Sequence, residues 1–185
     1  TRQQYVYDLR QSGGTVRVGR RLKWPDDFFY IQGRFKYQYN NVIEGQNYYK
    51  EGVSNQFSVG ALLSRKNIDN PIFPSTGSSL QLDVEVTGGA LLPGDVDYLK
   101  IGFTAEWYRR LFNSNRIALY TIADVGYLDE IVLGTNIQPF EYFYMGGNGL
   151  ILATTSLRGY DDRAVGPINP STGQVVGGRV MAKFG

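Results

Sequence analysis

Apolar and polar side chains alternate with a period of two through most of this chain. In 98–111, Leu99, Ile101, Phe103, Ala105 and Trp107 fall on one side, and Tyr98, Lys100, Gly102, Thr104, Glu106, Tyr108 and Arg110 on the other. Successive side chains of a strand point to opposite faces, so this segment predicts a strand with one apolar and one polar wall. The same holds for 79–87, where Leu80, Leu82, Val84 and Val86 oppose Gln81, Asp83, Glu85 and Thr87. It holds for 29–40, with Phe29, Ile31, Phe35, Tyr37 and Tyr39 opposite Tyr30, Gln32, Arg34, Lys36 and Gln38. Segments 56–64 and 116–127 repeat the pattern, and 15–24 carries a weaker version because Arg20 interrupts Val16, Val18 and Leu22. A seventh strand is predicted to start at 179–185. No amphipathic helix with caps is found, so the predicted class is all-β.

The segments run about 9 to 13 residues, closer to a tilted membrane-crossing strand than to the roughly 5 to 6 of an average soluble one. The links alternate in length: short at 23–27 and 112–115, long at 40–55, 88–97 and 129–178, with 67–77 a stiff intermediate case rich in turn residues. Short turns on one side and long loops on the other are the habit of a transmembrane barrel. Alternation by itself cannot say whether the apolar wall faces lipid or a core, and a soluble sandwich or lipocalin-like barrel would show it too. Strand length, the sidedness of the loops, and aromatics at strand ends (Trp24, Phe28, Phe29, Tyr39, Tyr98, Trp107, Tyr108, Phe112, Tyr127) favour the membrane.

Composition narrows the chemistry. Aromatics make up 14% of the 185 residues and there are 23 glycines, which suits strands joined by many turns. A net charge of +2 without a dense basic run gives no reason to expect nucleic acid as a partner. The absence of Cys and His excludes disulfides, thiol chemistry, and every His- or Cys-based metal or catalytic arrangement. Mean hydropathy is −0.27, which is uninformative for a barrel whose lumen face is polar. The adjacent Asp161 and Asp162 read as turn chemistry rather than a metal site, since hard cations want more oxygens. Asp83 and Glu85 share a face as a glycosidase pair would, but with Glu106 and Asp124 they read as solvated lining. Gly146-Gly147-Asn148-Gly149 opens no helix and so does not cradle phosphate. No cofactor and no enzymatic activity are expected.

The link 129–178 is too long to be an idle connection in a compact domain. A single Arg-Gly pair in it would ordinarily be a surface turn. The ordered string is more specific: Pro139-Phe140-Glu141, Phe143-Tyr144-Met145-Gly146-Gly147, Leu157-Arg158-Gly159-Tyr160, Gly166-Pro167, then Gly177-Gly178 before a new strand. It resembles the sixth outer loop of the BamA family, the outer-membrane protein insertases of the bacterial surface antigen superfamily, to which two-partner-secretion transporters are more distantly related. Gly19-Arg20-Arg21-Leu22 with Trp24, and the run from Asp69 to Gly77, resemble that family's periplasmic turns. The likeness covers about residue 14 to the end. The motif here reads Leu-Arg-Gly-Tyr where many members have Val-Arg-Gly-Phe, which keeps the Arg-Gly pair.

The resemblance implies that residues 1–185 are part of a sixteen-stranded barrel of the cell outer membrane: six complete strands and the start of a seventh, with POTRA domains and the other strands outside the chain. It implies that 129–178 folds into the lumen with Arg158, flanked by Leu157, Gly159 and Tyr160, contacting the inner wall. Gly146, Gly147, Asp161, Asp162, Gly166 and Pro167 would support the loop. A lumenal guanidinium needs acceptors, and a planar fork suits carboxylates. Candidates on the polar face are Asp83, Glu85, Glu106 and Asp124, with Asp161 or Asp162 as alternatives should the family's usual acceptor, on strands after the loop, be the one missing. The implied function is assembly of β-barrel proteins into the outer membrane, with unfolded outer-membrane clients, accessory lipoproteins, and outer-membrane lipid and lipopolysaccharide as partners. A two-partner-secretion type transporter is the alternative within the superfamily, and a small porin or adhesin barrel the alternative outside it.

Overall fold

The computed structural model describes residues 8–44, 52–89, 92–112, 117–132, 137–149, 154–170, 173 and 175–185. Seven strands form one antiparallel sheet in chain order: β1 (Asp8–Arg21), β2 (Phe29–Glu44), β3 (Gly52–Ile68), β4 (Gly77–Thr87), β5 (Tyr98–Arg110), β6 (Ala118–Asp129) and β9 (Val180–Phe184). Between β6 and β9 lie a 3-10 turn (Pro139–Glu141) and two short strands, β7 (Tyr144–Met145) and β8 (Thr154–Thr155), which pair parallel. The described residues contain no α-helix. Each predicted strand is present, and the chain is an antiparallel sheet of the barrel-wall type.

Several boundaries differ from expectation. β1 begins at Asp8, through Gln11, Ser12, Gly13 and Gly14, where no apolar alternation announces a strand. β2 runs on to Glu44 and β3 starts at Gly52, so most of the supposed long link 40–55 is paired strand. Polar residues and glycines break the alternation in these extensions, and Val42, Ile43 and Val53 are too few to set a period of two; in a barrel the part of a strand that rises above the bilayer needs no continuous apolar face. The predicted link residues Asn113, Ser114 and Asn115, and Arg116 at the predicted start of β6, lie outside the described residues, as do residues 1–7.

The sheet decides which wall faces what. On β3, Ser54, Gln56 and Ser58 are buried, at 8%, 0% and 1% exposure, while Val53, Val59 and Leu63 on the other face stand at 53%, 45% and 37%. Across the sheet the exposed wall is apolar: Val16, Val18, Ile31, Phe35, Leu82, Phe103, Trp107, Leu119, Val180 and Phe184. The polar wall is the covered one. This is the inverse of a soluble sandwich and the order required of a wall in lipid.

The strands are also sheared. One cross-strand row runs Arg20, Ile31, Leu63, Leu82, Phe103, Val125 and Ala182. It leaves β1 beside the strand's end but crosses β5 in mid-strand, as in a barrel whose strands tilt against its axis. At the short-turn end, Asp69 organises the β3–β4 connection by accepting from the backbone N–H of Ser75 (2.9 Å) and Thr76 (3.1 Å), and from Arg110 (3.2 Å). Asn70 accepts from Ile72 and Phe73 in the same turn.

Candidate functional site

The polar wall carries a charge network made possible by one missing side chain. Register places Arg34 on β2 beside Gly60 on β3, and Gly60 beside Glu85 on β4. Arg34 lies across Gly60, where a Cβ would come within 2.7 Å of its Nε. Its guanidinium donates to both oxygens of Asp83 (2.6 and 2.7 Å) and to Glu85 (2.6 Å). Lys36 adds a contact to Glu85 at 3.0 Å, and the Tyr98 hydroxyl donates to the same oxygen at 3.3 Å. Two cations and two carboxylates thus form a continuous chain, Asp83–Arg34–Glu85–Lys36, across β2 to β4. Tyr98, expected as a strand-end aromatic, is wholly buried on the polar wall as part of it.

That network changes the role of the acids expected to face Arg158. Asp83 and Glu85 belong to Arg34 and Lys36, Glu106 accepts from the Tyr120 hydroxyl (3.0 Å), and Asp124 accepts from Thr104 (3.1 Å). Among the described residues none of the four meets Arg158, which is exposed and makes no hydrogen bond or ion pair. With Gly147, Asn148, Gly159, Tyr160, Asp161 and Asp162, it lines an open depression.

The motif around Arg158 is nonetheless tightly built. The Tyr160 N–H donates to the Leu157 carbonyl (3.4 Å), closing a turn with Gly159 third at φ +86, where such turns demand glycine. Both ends of the turn bond to Gly147: the Leu157 N–H to its carbonyl (3.1 Å) and its own N–H to the Tyr160 carbonyl (3.0 Å). Gly147 has φ +64, and a Cβ there would strike the Asp162 carboxylate; a Cβ on Gly146 would strike the Asp161 carbonyl. Gly166 lies against the Val176 carbonyl, Pro167 accepts from the Val176 N–H (2.7 Å), and Gly178 exchanges both backbone bonds with Phe143. The residues that were ordered in sequence are hydrogen-bonded neighbours in space.

The loop base stands on the wall through contacts that the sequence pattern does not pair. Lys100 on β5 donates to the Glu141 carbonyl (2.8 Å), lies 3.5 Å from its carboxylate, and sits 5.2 Å above the Phe143 ring. Phe143 occupies the space over Gly126, where a Cβ would lie 2.6 Å from the ring. Val96, Tyr98, Leu128 and Ile137 form the buried cluster beneath, joined by Tyr142 and Phe143. Further along, Lys183 on β9 donates to the Ser156 carbonyl (2.8 Å) and Thr155 to the Met181 sulfur (2.9 Å). Arg179 pairs with Asp129 (3.3 Å) and with Glu130. The one available signal was the glycine at 126, a gap in the polar wall.

The family model of the Omp85 superfamily domain matches residues 1–185. A SAM50-like protein of Schizosaccharomyces pombe is 24% identical over 164 residues, covering 87% of this chain and 33% of the relative. The chain therefore spans about a third of the length of the curated relative it matches. It belongs to the Omp85 superfamily, whose members are outer-membrane β-barrels.

Proposed function

We propose that this Omp85 superfamily chain is barrel wall and lumenal loop of a BamA-type insertase, which folds β-barrel proteins into the outer membrane of a Gram-negative cell. The observation that supports the reading most directly is the loop, an ordered body seated on the polar wall and built on the Leu157–Tyr160 turn. The work is not covalent chemistry. An incoming strand gains backbone hydrogen bonds by adding to a weakly paired seam, and the barrier to insertion falls as polar groups are paired before they enter lipid. Clients are unfolded outer-membrane proteins. Accessory lipoproteins and lipopolysaccharide are partners of the whole machine.

Within that machine Arg158 is the free end of the loop. Its base is held on β5, β6 and β9, and its acceptor is a carboxylate on strands beyond β9 within a barrel of sixteen. The test is reconstitution of the full-length protein in liposomes with a urea-denatured barrel client, scoring membrane-inserted, protease-resistant client. Acceleration at least tenfold over empty liposomes, cut strongly by Arg158→Ala, is expected. Client carried across the bilayer and left soluble would instead identify a secretion transporter, and no acceleration would refute the reading.

A further inference from the structure

We propose that the short-turn end of the lipid-facing wall binds anionic phospholipid head groups, with Arg20, Arg65 and Arg109 as the side chains that meet their phosphates. All three lie on the apolar face. Arg20 pairs across strands with Ile31, Arg65 with Phe29 and Leu80, and Arg109 with Leu119. The interruption of the first strand's pattern by Arg20 is therefore a charge placed on the lipid side near a strand end.

The shear puts the three at one height. Relative to the row Arg20–Ile31–Leu63–Leu82–Phe103, Arg65 lies 2 residues beyond Leu63 and Arg109 lies 6 beyond Phe103. Strands about 4.8 Å apart, tilted by about 40°, shift a level line by roughly 4 Å, or just over one residue, per strand. Four strands then require a shift of roughly five residues, close to the six observed. Each arginine is also within three residues of its strand's turn end.

Around them the surface is aromatic, and the acid that meets one of them, Asp26, sits in a turn rather than on the lipid-facing wall. Trp24, Phe73 and Phe112 project from three successive turns at 83%, 79% and 88% exposure, and Trp107 stands on the lipid face beside Arg109. Arg65 lies 5.8 Å from the rings of both Phe28 and Phe29 and is held by Asp26 at 2.8 Å. Arg20 and Arg109 are exposed, and their side chains have no hydrogen bond or ion pair among the described residues. No carboxylate occupies a lipid-facing strand position at this end; at the other end Asp129 does, across from Leu99 and paired with Arg179. Interfacial aromatics set the depth, and guanidinium forks at that depth meet the phosphate layer. Each basic group near an anionic surface contributes attraction equal to roughly a fivefold change in binding.

The two tryptophans of this chain, Trp24 and Trp107, both report on this end. The experiment reconstitutes the full-length protein in phosphatidylcholine vesicles containing bromine-labelled phosphatidylglycerol or bromine-labelled phosphatidylcholine. Quenching assigned to these tryptophans is taken as the difference from a Trp24→Phe/Trp107→Phe variant. A several-fold preference for the anionic lipid at low salt is expected, falling at 0.5 M salt. Arg20→Gln/Arg65→Gln/Arg109→Gln should bring it near unity and Arg20→Lys/Arg65→Lys/Arg109→Lys should retain it, with heat-modifiable gel mobility confirming folded barrels. Equal quenching by both lipids, or a preference unchanged in the glutamine variant, would overturn the proposal. The result is independent of insertase activity, so failure of the assembly assay would leave it standing.

Discussion

Replacing Lys100 by Met removes the contact that ties the loop base to β5 while conserving the length of the side chain. The ammonium makes a 2.8 Å bond to the Glu141 carbonyl, stands 3.5 Å from its carboxylate, and lies 5.2 Å above the Phe143 ring. A hydrogen bond from a charged donor contributes about 1.5–3 kcal/mol, and a partly desolvated cation–π contact about 0.5–2 kcal/mol. Lys100 is about a quarter exposed, which argues for the lower half of each range, so loop docking should weaken by about 2–3 kcal/mol. That corresponds to roughly 30- to 150-fold more frequent local opening. The sheet does not depend on Lys100, whose backbone stays paired with Leu128 and Glu85. Hydrogen exchange measures the prediction directly. The Phe143 and Gly178 amides, bonded to each other's carbonyls only while the loop is folded, should exchange faster by that factor, and the amides of β3 and β4 should not change. Glu141→Gln keeps the shorter, backbone part of the contact and should show the smaller effect. Unchanged protection at Phe143 and Gly178 in the Lys100→Met protein would refute this anchoring.

Three further outcomes follow from the geometry. Gly147→Ala and Gly159→Ala both put a side chain at positive φ, at an expected cost of about 1 kcal/mol each. At Gly147 the Cβ also strikes the Asp162 carboxylate while at Gly159 it meets open space, so protease cleavage within the loop should rise clearly more for the first. Arg34→Leu leaves Asp83 and Glu85 facing each other without the guanidinium between them and should destabilise the barrel by about 3 kcal/mol, read as a lower temperature of heat-modifiable gel mobility; Gly60→Ala should reproduce part of the loss by displacing Arg34. The Ser75 hydroxyl, with the backbone N–H groups of Ser75 and Thr76 and then Arg110, holds the Asp69 carboxyl well below the usual carboxylate range. A depressed folded pKa adds stability above the unfolded value of about 4, lost only as pH falls through the folded value. Protection of the Thr76-to-Asp69 turn should therefore persist through pH 4, and Asp69→Asn should remove this acid dependence.

Much of this architecture was legible because a period of two survives any amount of sequence drift in which residues keep to their wall. Leu99 through Trp107 reads as a strand whatever surrounds it. Alternation is lost where a wall has no lipid to face, as at Gln11–Gly14, where polar residues and glycines occupy both sides, and at Asn40–Glu44, where Val42 and Ile43 fall on opposite sides. It is also blind to sign, since apolar-out and apolar-in sheets share one pattern; only the burial of Gln56 and Ser58 against the exposure of Val59 settles it. In the loop, glycines were legible because positive φ and close backbone approach leave few alternatives at Gly146, Gly147 and Gly159. Lys100 and Glu141 were not, because a lysine on a polar wall looks solvated until something 41 residues away is seen to cover it.

The partition of charge on the inner wall bears on what Arg158 can do. Arg34 and Lys36 neutralise Asp83 and Glu85 within the wall itself, and removing either kind of charge would strand the other in a partly buried site. Had those acids been free, Arg158 could have reached inward to them, and the loop would have closed on the same strands that carry its base. With them occupied, the rigid Leu157–Tyr160 turn presents a guanidinium that this side of the barrel does not satisfy. A loop fixed at Lys100, Lys183 and Arg179 and carrying an unspent charge at its tip is suited to bridging a lumen, with one foot on β5, β6 and β9 and the other on a different part of the wall. On the proposed insertase reading, opening the barrel at its seam would load that bridge, and the two feet should differ in consequence. Loss of the Lys100 foot should loosen the loop without changing what Arg158 meets, whereas loss of Arg158 should leave the loop folded on its base and uncouple it from the far wall. Hydrogen exchange at Phe143 in an Arg158→Ala protein separates the two: protection there should match the unaltered protein even where assembly activity falls, and a loop that melts throughout would show that the tip, not the base, is what holds it.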